Sequence, residues 1–358
     1  MLPNNLPVPA SEVDISPAWL SAVLAGAFPE ETFVGLEHSL IGQDYGFASR
    51  IIRCQWRERQ WREHHQPKHR QHSVVIKLWS TDSRAGTTEV QFYQTFRDSQ
   101  GLGVRVPKCY YSAVDKQAAR TVLVLEDLQG AIQGDVLEPL DLESAKAVAR
   151  SLAKLHTMWL DHSQLTEMTW IPDMSVWQQN SDWFEDRRRL FLERFPKALT
   201  GVARTWLDRL EHAPQLANAR LTAAPKTLLH GDFHLDNLMF VNQQPIFLDW
   251  SKPVRGPLAL NLAVLLFQMT SLDYFDEVLA CYLDSFAKIS SYELEYADVN
   301  KQLGGALLRL FATSTCGVAR WQPELARAQQ IIQHNIDQLN TALAFWQDRN
   351  PDLWINLK

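Results

Sequence analysis

Asp232, Asn237 and Asp249 are the side chains whose types and spacing could do chemistry. Asp232 and Asn237 stand five residues apart in His230-Gly231-Asp232-Phe233-His234-Leu235-Asp236-Asn237, and Asp249 lies on the next apolar run, Phe247-Leu248-Asp249-Trp250. Residues 238–241 predict a strand, 242–245 a turn and 246–248 the returning strand. A hairpin of that length is expected to fold Asp249 back beside the loop that carries Asp232 and Asn237. The result is a set of hard oxygen ligands with one carboxylate to spare. Mg²⁺ takes oxygen ligands and keeps waters and substrate phosphates in its shell, so an amide and a carboxylate are enough protein for it. Asn237 and Asp249 are therefore the candidate metal ligands. Asp232 is left to accept the proton of an attacking hydroxyl, a role that asks more of position than of basicity when the transition state is loose.

Taken singly, each of these residues has an ordinary explanation, because Asp and Asn are common in turns before strands. The whole string is far more specific. HGDFHLDN with the downstream FLDW resembles the aminoglycoside phosphotransferase and choline kinase family of small-molecule kinases, and its wording is closest to the bacterial ecdysteroid-kinase-like members. Protein kinases carry a related loop, H-R-D-x-x-x-x-N, with the same Asp-to-Asn spacing. Gly231 in place of Arg and the extra His234 point away from a protein substrate. The resemblance implies an α+β, protein-kinase-like two-lobed fold. A β-rich N-terminal lobe, residues 1–127, would face the nucleotide, and a mainly helical C-terminal lobe, 128–358, would carry the loop, the metal and the acceptor. It also implies ATP as donor, Mg²⁺ as cofactor and a small-molecule hydroxyl as acceptor, with His234 shaping the loop or touching phosphate.

Upstream elements must position these groups. Two strands, 33–40 and 50–55, flank a turn with Gly42 and Gly46, whose backbone N–H groups could approach nucleotide phosphates. Glycines in hairpins also serve simply as turns. Ser73-Val74-Val75-Ile76-Lys77-Leu78-Trp79 is a β-pattern with one lysine in it, a rare placement. V-V-I-K resembles the strand whose lysine grips the α- and β-phosphates; the plainer reading is a lysine on an edge strand. A helix over 87–99 puts Glu89, Tyr93 and Phe96 on one side. A carboxylate on a packing side needs a cation, and Lys77 is the obvious partner, although Glu89 also suits a helix N-terminus. After strands at 108–111 and 121–125, Glu126-Asp127-Leu128 breaks the pattern. This resembles the family's hinge, where Glu126 and Leu128 would offer backbone groups to the adenine edge.

The totals are those of an ordinary folded chain: 358 residues, 46% hydrophobic and 21% charged, with a formal net charge of −6. That balance argues against a nucleic-acid partner and slightly favours a neutral or cationic substrate. The four cysteines form no C-x-x-C pair and read as free thiols. The N-terminus lacks a signal-peptide pattern, and no apolar stretch approaches the roughly 20 residues of a membrane span. A cytoplasmic enzyme is expected.

Elsewhere the signals are structural. Ser16-Pro17 opens a helix with Trp19, Leu20, Val23 and Leu24 on its apolar stripe. Residues 56–72, basic with four histidines, read as an exposed hairpin tip rather than a metal site. His156, on a long helix over 142–161, reads as a packed histidine. Trp170, Trp177 and Trp183 could cage a quaternary ammonium or simply pack. Asp273, Asp276, Glu277 and Asp284 read as a solvated face or the lining of a cationic substrate's site. The family usually ends the stretch after its Asp-Trp with G-x-P-x-x-D-L-A; here the Asp is Asn261, which accepts through its amide oxygen but brings no charge. An active small-molecule kinase is the first reading. A catalytically weak nucleotide- or metabolite-binding pseudokinase is the second, and a protein kinase the third. Residues 293–316 and 323–348 predict closing helices.

Overall fold

Apolar alternation along the strands builds one half of the molecule and helical periodicity the other. The computed structural model describes residues 6–28, 33–42, 49–59, 69–79, 84–96, 101–178 and 181–351. It divides into two units, Met1–Ala131 with Ile246–Lys252, and Ile132–Pro245 with Pro253–Lys358.

In the first unit, Ser16 caps helix α1 (Pro17–Leu24), its Oγ accepting from the Trp19 N–H at 3.1 Å, while Pro17 takes the first helical position, where no donor is needed. The five strands are β1 (Val34–Ile41), β2 (Arg50–Arg59), β3 (His69–Trp79), β4 (Cys109–Asp115) and β5 (Arg120–Glu126). They form an antiparallel sheet in the order β1-β2-β3-β5-β4. Trp19, Leu20, Val23 and Leu24 of α1 share a core with Ile52, Cys54 and Trp56 of β2, Val74, Ile76 and Leu78 of β3, and Val122 and Val124 of β5. The period of two then sends Val75, Lys77 and Trp79 to the other face, where helix α2 (Arg84–Thr95) buries Glu89, Val90, Phe92 and Tyr93.

The polar stretch 56–72 is more than a hairpin tip. Its two ends extend the β2–β3 ladder as far as Arg59 opposite His69, and Trp56, fully buried, stacks on His72 with ring centroids 5.7 Å apart. Residues 60–68 lie outside the described residues.

The second unit starts with the short strand β6 (Ile132–Gln133) and passes into α3 (Leu142–Trp159), whose N-terminus is capped by Asp141 Oδ1 accepting from Ser144 N–H at 2.8 Å. Helices α4 (Ser163–Glu167), α5 (Ser181–Arg194), α6 (Gly201–Leu207) and α7 (Ala213–Leu221) follow. Strand β7 (Lys226–Leu229) leads into the loop 230–237, which closes with a single 3₁₀ turn, Leu235–Asn237. Strand β8 (Leu238–Val241) pairs antiparallel with β6. Asn242 and Gln243, both left-handed at φ 50° and 61°, make the two-residue turn into β9 (Gln244–Phe247). Strand β10 (Val254–Pro257) pairs with β7. Helix α8 (Ala259–Val264) runs on as a π-helical turn, Leu265–Met269, and α9 (Phe275–Ala287), α10 (Tyr296–Arg320) and α11 (Ala326–Arg349) complete the unit. Val299, Leu303, Leu307 and Phe311 recur every four residues along the buried side of α10. The apolar tail at 353–355 lies outside the described residues.

Candidate active site

In the first unit Lys77, Glu89 and Asp249 come together. Lys77 Nζ lies 2.8 Å from Glu89 Oε2 and 3.1 Å from Asp249 Oδ2. The alternation of β3 buries Lys77 on the α2 face, and only an ion pair makes a buried ammonium tolerable there. Burial by itself would lower the Lys77 pKa; the two carboxylates outweigh it and raise it. Glu89 is pushed up to about 7 by burial, with Asp249 adding to the rise and Lys77 opposing it.

A second contact from the same helix fixes the segment that carries Asp249. Phe92, one turn beyond Glu89, stacks on the fully buried Trp250, with centroids 4.4 Å apart and planes within 8°. Asp249 is thus held by Lys77 of β3, which Glu89 of α2 also pairs, and the next residue, Trp250, is held by a ring stack on α2. Phe247 N–H donates to Arg105 O at 2.8 Å and seats the start of this segment. Asp249 itself sits at φ 53°, a left-handed conformation that Asp tolerates better than most residues. Strained backbone of this kind concentrates at functional sites.

In the second unit Asp232, His234 and Asn237 come together on one loop. Gly231, at φ 78°, makes the left-handed step that turns the chain out of β7. The Asn237 amide nitrogen donates to Asp232 O at 2.9 Å and meets His234 Nε2 at 3.0 Å. These contacts fix the orientation of the carboxamide and leave its oxygen as the end available to a cation. Mg²⁺ needs only one or two protein oxygens of this kind beside substrate phosphates, and the Asn237 amide oxygen is of that kind. Among the described residues no three His, Cys, Asp or Glu side chains cluster as a metal centre, which bears on zinc-like cages rather than on such a site.

Behind the loop, Asn261 Oδ1 accepts from His230 N–H at 3.3 Å. The uncharged amide thus braces the start of the loop. His156 is wholly buried beside it, with Nδ1 2.8 Å from the Tyr282 hydroxyl. Burial holds its pKa down at about 3, which the Asn261 side chain offsets only in part.

The remaining sequence candidates are more dispersed. Gly42 follows β1 at φ 69°, and Gly46 falls outside the described residues. Glu126 ends β5, and its carboxylate is engaged by Arg105 at 3.3 Å and by Lys108 N–H at 3.1 Å. Leu128 is buried beside Asp127, whose carboxylate is paired with Arg53 at 2.9 Å. Of the three tryptophans, Trp177 is buried against Phe184 with the Arg309 guanidinium over its ring, and Arg187 lies over Trp183. The cations over these two rings are the protein's own. Glu277 and Asp276 are likewise paired, with Lys146 and Arg349.

Sequence reasoning missed one set of residues. Asp236, inside the loop, is bound by Arg327 of α11 and by the β6 strand and linker through Gln133 and Val136. An arginine on an amphipathic helix carries no signal that separates it from its solvated neighbours.

Comparison with known proteins decides the family. Residues 66–294, well over half of the chain, match the model of the family described as the phosphotransferase enzyme family, APH. The chain belongs to this family. Membership makes it a phosphotransferase, and the matched span contains Lys77, Glu89, Asp232, Asn237 and Asp249. Among solved structures, a candidate aminoglycoside phosphotransferase of Ralstonia eutropha is 14% identical, with a TM-score of 0.55 over 92% of this chain and 98% of that one. APH(2'')-IIIa, determined with GDP and kanamycin, is 15% identical, with a TM-score of 0.54 over 92% and 99%. The choline kinase LicA of Streptococcus pneumoniae is 12% identical, with a TM-score of 0.51 over 92% and 100%. At these identities the likeness is one of fold: α+β, protein-kinase-like and two-lobed, with a β-rich N-terminal lobe and a mainly helical C-terminal lobe. No curated protein matches the chain significantly by sequence. Among the described residues no helix is long and apolar enough to cross a membrane.

Proposed function

We propose that this phosphotransferase moves the γ-phosphoryl group of ATP to a hydroxyl of a small molecule. The observation that carries the reading is the triad of buried Lys77 and Glu89 with half-buried Asp249, Nζ lying 2.8 Å and 3.1 Å from the two carboxylates. A lysine held so firmly presents its charge at a fixed place, which suits a grip on nucleotide phosphates. Asn237 and Asp249 would hold Mg²⁺, which would offset the negative charge of the phosphates. Asp232 orients the acceptor hydroxyl and takes its proton as the new O–P bond forms. The bond from the γ-phosphorus to the bridging oxygen breaks, and ADP departs with that electron pair. Glu126 and Leu128 are proposed to border the adenine, and Gly42 and Gly46 to cover the phosphates. His234, against Asn237, shapes the loop.

The acceptor is a small hydroxylated molecule; the aminoglycoside- and choline-directed neighbours set the first panel to try. The test is Asp232→Asn. The variant is expected to keep the Mg²⁺-dependent rise in melting temperature that ATP gives the wild type, equivalent to about 2.7 kcal/mol near one hundredfold saturation, while losing turnover. Wild-type turnover in the variant refutes the role of Asp232. The second reading, a pseudokinase, is favoured by the neutral Asn261, and a wild-type protein that binds ATP without turning it over with any acceptor or with water would establish it.

A further inference from the structure

We infer that Arg327, on the C-terminal helix, is a positioning residue for the Asp232–Asn237 loop and acts through Asp236. The inference rests on the function proposed above. Arg327 Nη1 donates to Asp236 Oδ2 at 3.1 Å and Nη2 to Asp236 Oδ1 at 3.0 Å, the two-pronged geometry that only a guanidinium supplies. Nη2 also donates to Asp135 Oδ1 at 2.8 Å. Asp236 is buried, and Val136 N–H gives its Oδ1 a further hydrogen bond at 3.0 Å.

The consequence for the loop is geometric. Asp236 is the residue before Asn237, and its carbonyl belongs to the peptide that carries the Asn237 nitrogen. That carbonyl accepts from Gln133 Nε2 at 3.0 Å. Gly134 N–H donates to Leu238 O at 2.9 Å, and the strand approaches so closely that a Cβ on Gly134 would lie 2.5 Å from Leu235 O. The loop is therefore gripped from the β6 strand and linker and from α11 at once. Arg327 joins the two grips, since it holds Asp135 of the linker and Asp236 of the loop with one planar group. Removing it leaves two neighbouring carboxylates facing each other across the space it filled. The resulting repulsion turns the Asp236–Asn237 peptide and displaces the side chains it carries. Arg327 lies outside the span 66–294 that matches the family, so the clamp belongs to this chain's own C-terminal helix.

The experiment is steady-state ATP hydrolysis to ADP and phosphate, with water as acceptor, by the full-length protein and its Arg327→Ala and Arg327→Lys variants. Displacement of a reacting group by about 1 Å costs on the order of a hundredfold in rate. Arg327→Ala is expected to lose tenfold to about a hundredfold in kcat with KM for ATP within about twofold, because the nucleotide grip of Lys77 is untouched. Arg327→Lys keeps the charge without the fork and is expected to fall between. Guanidinium ion at about 10–20 mM, filling the vacated place, is expected to restore kcat to Arg327→Ala while equimolar urea does not. A purely structural arginine would lower the active fraction or the melting temperature without saturable guanidinium rescue. Asp236→Asn combined with Arg327→Ala is expected to be no slower than Arg327→Ala alone, since the repelling pair is gone. Hydrolysis by Arg327→Ala or Arg327→Lys at the wild-type rate overturns the inference and leaves the proposed function standing. Wild-type protein without hydrolysis, with any acceptor or with water, overturns the proposed function and the inference with it.

Discussion

His156 makes the stability of the second unit acid-sensitive by an amount that can be worked out. Its ring is wholly buried, its Nδ1 is 2.8 Å from the Tyr282 hydroxyl, and burial holds its pKa at about 3. In the unfolded chain a histidine titrates near 6.5. A base whose folded pKa is depressed leaves the folded state short of protons relative to the unfolded state below that value, so its contribution is intact above about pH 6.5 and is lost as pH falls toward 3. The loss is about 2 kcal/mol at pH 5 and about 3 kcal/mol at pH 4. The perturbation is His156→Gln, which places a non-titrating polar group opposite Tyr282. Urea unfolding of both proteins at about pH 7.5 and about pH 5 gives the comparison, because every other titrating group cancels in the difference. The variant is less stable than wild type at the higher pH, and the gap is expected to close by about 2 kcal/mol at the lower. A gap of the same size at both pH values refutes the neutral, buried histidine.

The same site and the α2 contact give two further expectations. Asn261→Asp puts a carboxylate beside the neutral ring, so the His156 resonance is expected to titrate near or above its ordinary value where the wild-type ring stays silent down to about pH 5; an unchanged titration in the variant would separate the two residues. Trp250→Ala removes a fully buried indole stacked on Phe92 at 4.4 Å and is expected to cost about 3–5 kcal/mol in urea unfolding. A cost below about 1 kcal/mol would mean the stack does not secure the Asp249 segment.

What the sequence revealed and what it hid follow from the range of the interactions involved. Lys77 stood out because a lysine amid a β-run must find a carboxylate, and Glu89 stood out because it shares a helix side with Tyr93 and Phe96; the two meet at 2.8 Å. Ser16 and Pro17 announced α1 by local chemistry alone. The extension of β2 and β3 into the histidine-rich stretch was hidden, because the buried indole of Trp56 stands among charged and polar residues, and their composition outweighs its signal. The π turn at Leu265–Met269 was hidden because four buried apolar residues in a run of five give no clear period. Arg327 and Asp236 could not be paired in advance: they are 91 residues apart, and nothing local to either requires the other.

The first unit is discontinuous along the chain. Its sheet and α2 are complete by Ala131, yet the segment Ile246–Lys252, which supplies the ring under Phe92 and the strand residue beside Arg105, comes more than a hundred residues later. During synthesis the ribosome therefore releases Phe92 and the Lys77–Glu89 pair long before Trp250 and Asp249 exist to cover them. The nascent N-terminal half carries an apolar ring and a buried ion pair without their last partners while the intervening helices are made, at about 5–20 residues per second. Vectorial folding of the first unit therefore ends only with the insertion of one seven-residue segment, Ile246–Lys252, and until then its apolar ring and ion pair lack their last partners.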